Sequence, residues 1–277
     1  MKEGAKVILI TGATSGFGKA TAHYLAGIGH KVYGFGRSVE APSKEAGGNL
    51  TMMRMDVNDS NSVSEGVNAV ISAEGRIDVL LCAAGVGLVG AVEDVSIAEA
   101  KALFETNLFG SLRVCKAVLP QMRTQKSGLI MLVSSVAGIF GVPFQGLYSA
   151  SKFAVEAIVD SMSMEVRQFG IDVVALEPGD FNTGFNANKM KAAASEDEGS
   201  PYRKAYLKAM KNVDKDENTG YTADFFAAAV ARIIKSRRRR IRYVIGSPLE
   251  KAGILLKRVL PQRAFEKLLY AYYMLSR

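Results

Sequence analysis

Val7-Ile8-Leu9-Ile10-Thr11-Gly12-Ala13-Thr14-Ser15-Gly16-Phe17-Gly18 is the stretch that decides the fold. Its first four residues are apolar without interruption, the pattern of a short strand buried on both faces. A glycine-rich turn follows directly, and the amphipathic run 19–26 follows the turn. Strand, turn and helix in that order bring backbone N–H groups and a helix N-terminus to one point, where they can hold a phosphate. Gly12 permits the tight turn. Gly16 and Gly18 let the backbone approach a pyrophosphate and let the helix pack closely on the sheet. The spacing, G-x-x-x-G-x-G, is wider at its start than G-x-G-x-x-G.

Further apolar runs occur at 32–35, 50–53, 79–83, 129–133, 173–176 and 243–245. Helix-length amphipathic segments lie between most of them, at 60–73, 98–119 and 150–168 among others. Short apolar strands joined by helical crossovers predict a Rossmann-like, doubly wound α/β fold, a parallel sheet with helices on both faces. The 277 residues suffice for one such domain. We expect a dinucleotide-binding catalytic domain over 1–246, with 184–222 as an inserted substrate lid, and a basic amphipathic tail over 247–277.

Composition narrows the function. Cys82 and Cys115 cannot build a disulfide framework, and they fit a reducing compartment. With only His23 and His30, no metal site is expected. No leader or spanning segment is read at the N-terminus, so the expected location is cytoplasmic. The net charge of +8 is uneven: residues 235–277 carry twelve Lys/Arg against Glu250 and Glu266, which leaves −2 for the rest. A body of that charge argues against a nucleic-acid partner.

The end of the second strand reads Gly34-Phe35-Gly36-Arg37-Ser38. An acid there would accept bonds from a ribose 2′-hydroxyl. Arg37 instead suits a 2′-phosphate, so the expected cofactor is NADP(H). Downstream, Tyr148 and Lys152 stand at i and i+4, one turn apart on one helix face, with Ser135 thirteen residues before Tyr148. A phenol, an ammonium and a hydroxyl beside a dinucleotide turn are the parts for hydride transfer coupled to proton transfer.

In these motifs the chain resembles the short-chain dehydrogenase/reductases. The glycine turn, Asp56-Val57, Asn107, Ser135, Tyr148, Lys152 and Pro178-Gly179-x-x-x-Thr183 stand in that family's order over about residues 5–246. The stretch 135–157 is most similar to the branch of the 17β-hydroxysteroid and retinol dehydrogenases. The resemblance implies that Tyr148 is the general acid/base, that Lys152 lowers its pKa and holds the nicotinamide ribose, and that Ser135 polarises the substrate oxygen. It implies that Asn107 anchors a proton-relay water. Gly12, Thr14, Ser15, Gly16, Phe17, Gly18, Arg37, Asp56, Val57, Ala84, Gly85, Tyr148, Lys152, Pro178, Gly179, Phe181 and Thr183 would hold the cofactor. Among these, Thr14 would assist Arg37, Asp56 and Val57 would meet the adenine, and Thr183 the carboxamide. A homo-oligomer paired through its long helices is a further implication. One departure stands out: Cys82-Ala83-Ala84-Gly85 replaces the family's Asn-Asn-Ala-Gly, which predicts weaker bracing of that strand end.

Val86, Leu88, Val89, Val136, Ile139, Phe140, Val142, Pro143, Phe144, Leu147, Phe181 and Phe185 are candidates to border the pocket. Their apolar character favours a lipophilic alcohol or ketone: a steroid, a retinoid or a long-chain lipid. The tail sets Leu255, Leu256, Val259, Phe265, Leu268, Leu269, Tyr272 and Leu275 beside basic residues that include Arg277. Three readings of it remain open: a lid, a packing surface for the body or a second subunit, or peripheral contact with an anionic membrane. The alternative reading of the whole chain is a nucleotide-binding or membrane-attached regulator with vestigial catalysis.

Overall fold

The computed structural model describes residues 4–183 and 189–273. In chain order the strands are β1 (Val7–Thr11), β2 (Lys31–Gly36), β3 (Ser43–Glu45), β4 (Leu50–Arg54), β5 (Val79–Cys82), β6 (Leu88–Val89), β7 (Gly128–Val133), β8 (Ile171–Pro178), β9 (Phe181–Asn182), β10 (Met190–Lys191), β11 (Tyr221–Thr222) and β12 (Arg242–Ile245). The α-helices are α1 (Gly16–Gly27), α2 (Ser60–Glu74), α3 (Ile97–Phe104), α4 (Ser111–Gln125), α5 (Gly146–Val166), α6 (Arg203–Thr219), α7 (Ala223–Lys235), α8 (Pro248–Val259) and α9 (Gln262–Tyr272).

Eight strands form the central sheet in the order β12-β8-β7-β5-β1-β2-β4-β3. Every pairing is parallel except that of β3 with β4. The seven expected strands are all present. The eighth, β3, reads Ser-Lys-Glu and is exposed throughout, so it carries no apolar signal. Strand residues alternate between two cores: Leu9, Leu80 and Ile130 meet α2, α4 and α5, whereas Ile10, Leu81 and Met131 meet α1 and α7. Burial on both faces is why these strands are apolar at every position. Strand order reverses at β1, between β2 and β5, and a crevice opens outside the carboxyl ends of such strands.

One expectation needs correcting. The single helix expected over 98–119 is α3, then one turn of π-helix at Glu105–Gly110, then α4. Gly110 packs so closely on Val57 that an added Cβ would lie 2.8 Å from Val57 Cγ2, and the turn carries the buried Asn107. The described part of 184–222 contributes β10, which pairs with β6, and the long helix α6. Gly184 and Phe185 lie outside the described residues, as do Leu275 and Arg277. A third apolar cluster joins Ala209 and Val213 of α6, Tyr273 and Leu269 of the tail, and Val142 and Tyr148. The tail therefore packs on the body, over the carboxyl end of the sheet.

Candidate active site

The glycine turn closes onto the next strand. Gly12 has φ +69°, and an added Cβ would lie 2.8 Å from the Ala83 carbonyl and the Ala84 backbone. Only glycine allows both the conformation and the approach. Gly18 faces the Gly12 carbonyl so directly that a Cβ there would collide with it. Thr14 packs against Gly36, immediately before Arg37. Ala84 N–H donates to Thr11 Oγ1 at 3.2 Å, and Val86 N–H donates to Asn107 Oδ1 at 2.8 Å. Asn107 Nδ2 donates to the Val86 carbonyl at 3.0 Å and to Ser151 Oγ at 3.1 Å. Thr11 and Asn107 thus brace the strand end where the family's asparagines are missing.

α5 carries both Tyr148 and Lys152. Lys152 is buried, donates from Nζ to the Val133 carbonyl at 2.9 Å, and lies 5.6 Å from the centre of the Tyr148 ring. Burial lowers its pKa from 10.5 to about 8, against an opposing pull from Glu156. Ser135, at the end of the β7 loop, accepts at Oγ from Ala137 N–H at 3.1 Å, which leaves the hydroxyl hydrogen to donate elsewhere.

One cleft of about 630 Å³ brings these groups together. Gly12, Ser15, Gly16, Phe17, Ala84, Gly85, Ser135, Tyr148, Lys152, Pro178, Gly179, Phe181 and Thr183 all line it. Across it, a Cβ on Gly16 would sit 3.7 Å from Thr183 Cβ. Phe17 and Phe181 also pack edge to face with centroids 4.9 Å apart, so both rings brace the floor as well. Thr14, Gly18, Arg37, Asp56, Val57 and Asn107 do not line it. Asp56 accepts from Asn58 N–H at 2.9 Å in a local turn, Val57 is buried, and Asn107 is committed to its bracing partners.

Of the apolar pocket candidates, Val136, Phe140, Val142 and Phe181 line the cleft. Val86, Leu88, Val89, Ile139, Pro143, Phe144 and Leu147 do not, and Leu88 and Val89 are used in the β6–β10 pairing. The remaining wall is Val213 and Asp216 of α6, Leu249, Ala252, Gly253 and Leu256 of α8, and Phe265, Leu268, Leu269 and Tyr272 of α9. Helical spacing of apolar residues in the tail was the available signal for these. It marks a face but not what the face covers.

Glu250 lines the cleft and is a residue that the sequence reading did not single out. Ser247 and Glu250 form a capping box at the start of α8, and the same carboxylate accepts from Asp180 N–H. Gly179 and Gly246 make room for it, since a Cβ on either would clash with the carboxylate. Glu250 therefore joins the tail to the Pro178–Thr183 side of the cleft. Glu250→Ala should cost about 1–2 kcal/mol in a denaturant melt and raise KM for large apolar substrates severalfold, with Glu250→Gln milder in both.

Comparison with known proteins shows the family. The family model described as short chain dehydrogenase matches residues 6–194. The chain belongs to that family. It is 39% identical over 268 residues to 3-ketodihydrosphingosine reductase of Bacteroides thetaiotaomicron, covering 97% of this chain and 98% of the relative. It is 34% identical over 259 residues to retinol dehydrogenase 8 of Bos taurus, covering 87% and 82%. A short-chain dehydrogenase structure from Streptomyces avermitilis superposes with TM-score 0.81 at 30% identity, covering 97% and 98%. An alcohol dehydrogenase from Thermococcus sibiricus, complexed with 5-hydroxy-NADP, gives 0.71 at 27% identity, covering 88% and 97%. A family member from Burkholderia phymatum in complex with NAD gives 0.79 at 26%, covering 95% of each chain. As a short-chain dehydrogenase/reductase, the protein is an oxidoreductase that acts on CH–OH groups with a nicotinamide dinucleotide.

Proposed function

We propose that the protein is an NADP(H)-dependent oxidoreductase that interconverts a secondary alcohol and a ketone on a long-chain lipid, of the 3-ketodihydrosphingosine kind. The observation that carries the proposal is the continuity of the cleft. It holds the glycine turn at one end, Ser135, Tyr148 and Lys152 between, and an apolar wall from α8 and α9 at the other. The similarity to the Bacteroides thetaiotaomicron reductase spans 97% of the chain, so it includes nearly all of the tail that builds this wall.

The turn fits a dinucleotide, because Gly12 lets it close on Ala83 and Ala84 while Gly16 leaves its backbone bare on the cleft side, across from Thr183. Gly12–Phe17 and Thr183 would hold the cofactor, with Arg37 and Thr14 at the 2′-phosphate, Asp56 and Val57 at the adenine and Lys152 at the ribose. When bound, it supplies or accepts the hydride. Ser135 donates to the substrate oxygen and polarises it. Tyr148 gives that oxygen a proton during reduction and takes it back during oxidation. The Lys152 ammonium favours the phenolate, so the proton moves nearer neutral pH than a free phenol with pKa near 10 would allow.

The test is a carbonyl panel of steroid, retinoid and long-chain 3-keto lipid, run with NADPH and with NADH. Turnover of the long-chain ketone with NADPH supports the proposal; NADPH binding without turnover of any carbonyl sinks it. In the same assay, Arg37→Ala should raise KM for NADPH about tenfold to a hundredfold and leave KM for NADH unchanged, as expected from losing a charged phosphate contact.

A further inference from the structure

α8 turns its apolar side the wrong way for a helix that only packs on its own protein. Ile254 is its one buried apolar side chain, whereas Leu249 is 75% exposed, Val259 66% and Leu255 61%. At about 100° per residue, Leu255, Val259, Leu256 and Leu249 fall on one arc, with Lys251 and Arg258 along its flank. Leu249 and Leu256 also line the cleft. The exposed arc therefore runs without a break into the substrate cavity. On α9, Leu268 is likewise both exposed and part of the cleft wall, and Arg263 and Lys267 are exposed one turn apart on the side of the helix turned away from the buried Phe265.

We propose that this face of α8 and α9 docks on the surface of an anionic lipid bilayer, so that a lipid substrate passes from the membrane into the cleft between the two helices. The inference rests on the lipophilic-substrate reading given above. Charge selects the occupant. The two helices carry Lys251, Lys257, Arg258, Arg263 and Lys267 against Glu250 and Glu266, and Glu250 is turned inward as the cap. An apolar arc flanked by basic side chains is the pattern of a helix lying in a membrane interface. A second copy of the chain would instead set one basic flank against another. Among the described residues no helix is long and apolar enough to cross a membrane, so the contact is peripheral.

The arginine run at 237–240 lies elsewhere. It enters β12 at the strand's N-terminal end, while α8 leaves from the C-terminal end. Arg239 pairs with Asp172, and Arg242 with Glu156 and Asp160. Arg239 and Arg242 thus hold the sheet edge, whereas Lys235, Arg237, Arg238 and Arg240 are exposed at the strand's N-terminal end, away from the face that α8 and α9 present to the bilayer.

The test is flotation of the full chain with vesicles of phosphatidylcholine alone or with about one-third phosphatidylglycerol. Binding to the anionic vesicles should exceed binding to the neutral ones by tenfold or more and weaken in high salt. Leu255→Asp combined with Val259→Asp should abolish it, while Tm and turnover of a short water-soluble ketone stay unchanged. Lys251→Glu with Lys267→Glu should cut it on the order of tenfold. Failure to float with anionic vesicles overturns the proposal, and so does equal binding to both kinds. So does a dimer in light scattering that the Leu255/Val259 variant converts to monomer. Flotation without turnover of any lipid ketone would instead sink the reductase reading and leave the docking face standing.

Discussion

Tyr148→Phe should lower ketone reduction by about 10²–10⁴-fold while NADPH binding, read by fluorescence or calorimetry, stays within about twofold of the original. The substitution removes one oxygen from a ring that sits in the cleft and leaves the ring's packing with Val142 and Leu269 in place. Loss of turnover with binding retained identifies the phenol as the proton donor. Retained turnover would assign that proton to another group. The same site predicts a pH limit. Lys152 is lowered to about 8 by burial, with Glu156 pulling the other way, so its ammonium is present below that pH and lost above it. Reduction should therefore fall as pH rises past about 8. Glu156→Gln, by removing the opposing pull, should move that alkaline limb to lower pH. An unmoved limb would detach the profile from Lys152.

How far such a site can be read from sequence depends on what each residue's signal measures. The strands are legible because burial on both faces demands apolar residues at every position, as in Val79–Cys82 and Gly128–Val133. β3 is silent because an exposed antiparallel edge makes no such demand. The π-turn around Asn107 is equally silent. It depends on Gly110 meeting Val57 and on Asn107 meeting Val86 and Ser151, contacts far apart in the chain. Tyr148 and Lys152 are legible because both lie on one helix. The apolar wall of the cleft comes from α6, α8 and α9, and periodicity shows that these have apolar faces without showing where they fold back. Ser247-Pro-Leu-Glu250 carries the signature of a capping box, but its bond to Asp180 is a tertiary event. The positive tail looks uniform in sequence, whereas the fold ties Arg239 and Arg242 into ion pairs at the sheet edge and sets other cations on the outward sides of α8 and α9.

The second large effect concerns a group that sequence alone would pass over. Glu177 is 1% exposed, one residue before Pro178-Gly179 at the cleft, and neither of its side-chain oxygens has a hydrogen-bond partner among the described residues. Arg242 lies beside it, 3.6 Å from its Oε1, and pairs with Glu156 at 2.8 Å and Asp160 at 2.7 Å. Burial first, then the neighbouring Glu156, raises the Glu177 pKa from 4.5 to about 7, with Arg242 and Arg258 opposing. A carboxyl raised in the folded state holds its proton there at pH values where the unfolded chain has lost it. Stability therefore falls as pH rises from about 4.5 through about 7, by on the order of 3 kcal/mol in all. Glu177→Gln should flatten that slope in melts recorded from pH 5 to 8. Arg242→Ala strands two buried carboxyls without their shared cation and should cost about 3 kcal/mol or more at pH 8. At pH 5.5, where Glu177 is protonated, the same substitution should cost clearly less. An Arg242→Ala loss of equal size at both pH values would mean that Arg242 acts through packing and its pair with Asp160, and that Glu177 is not the group it compensates.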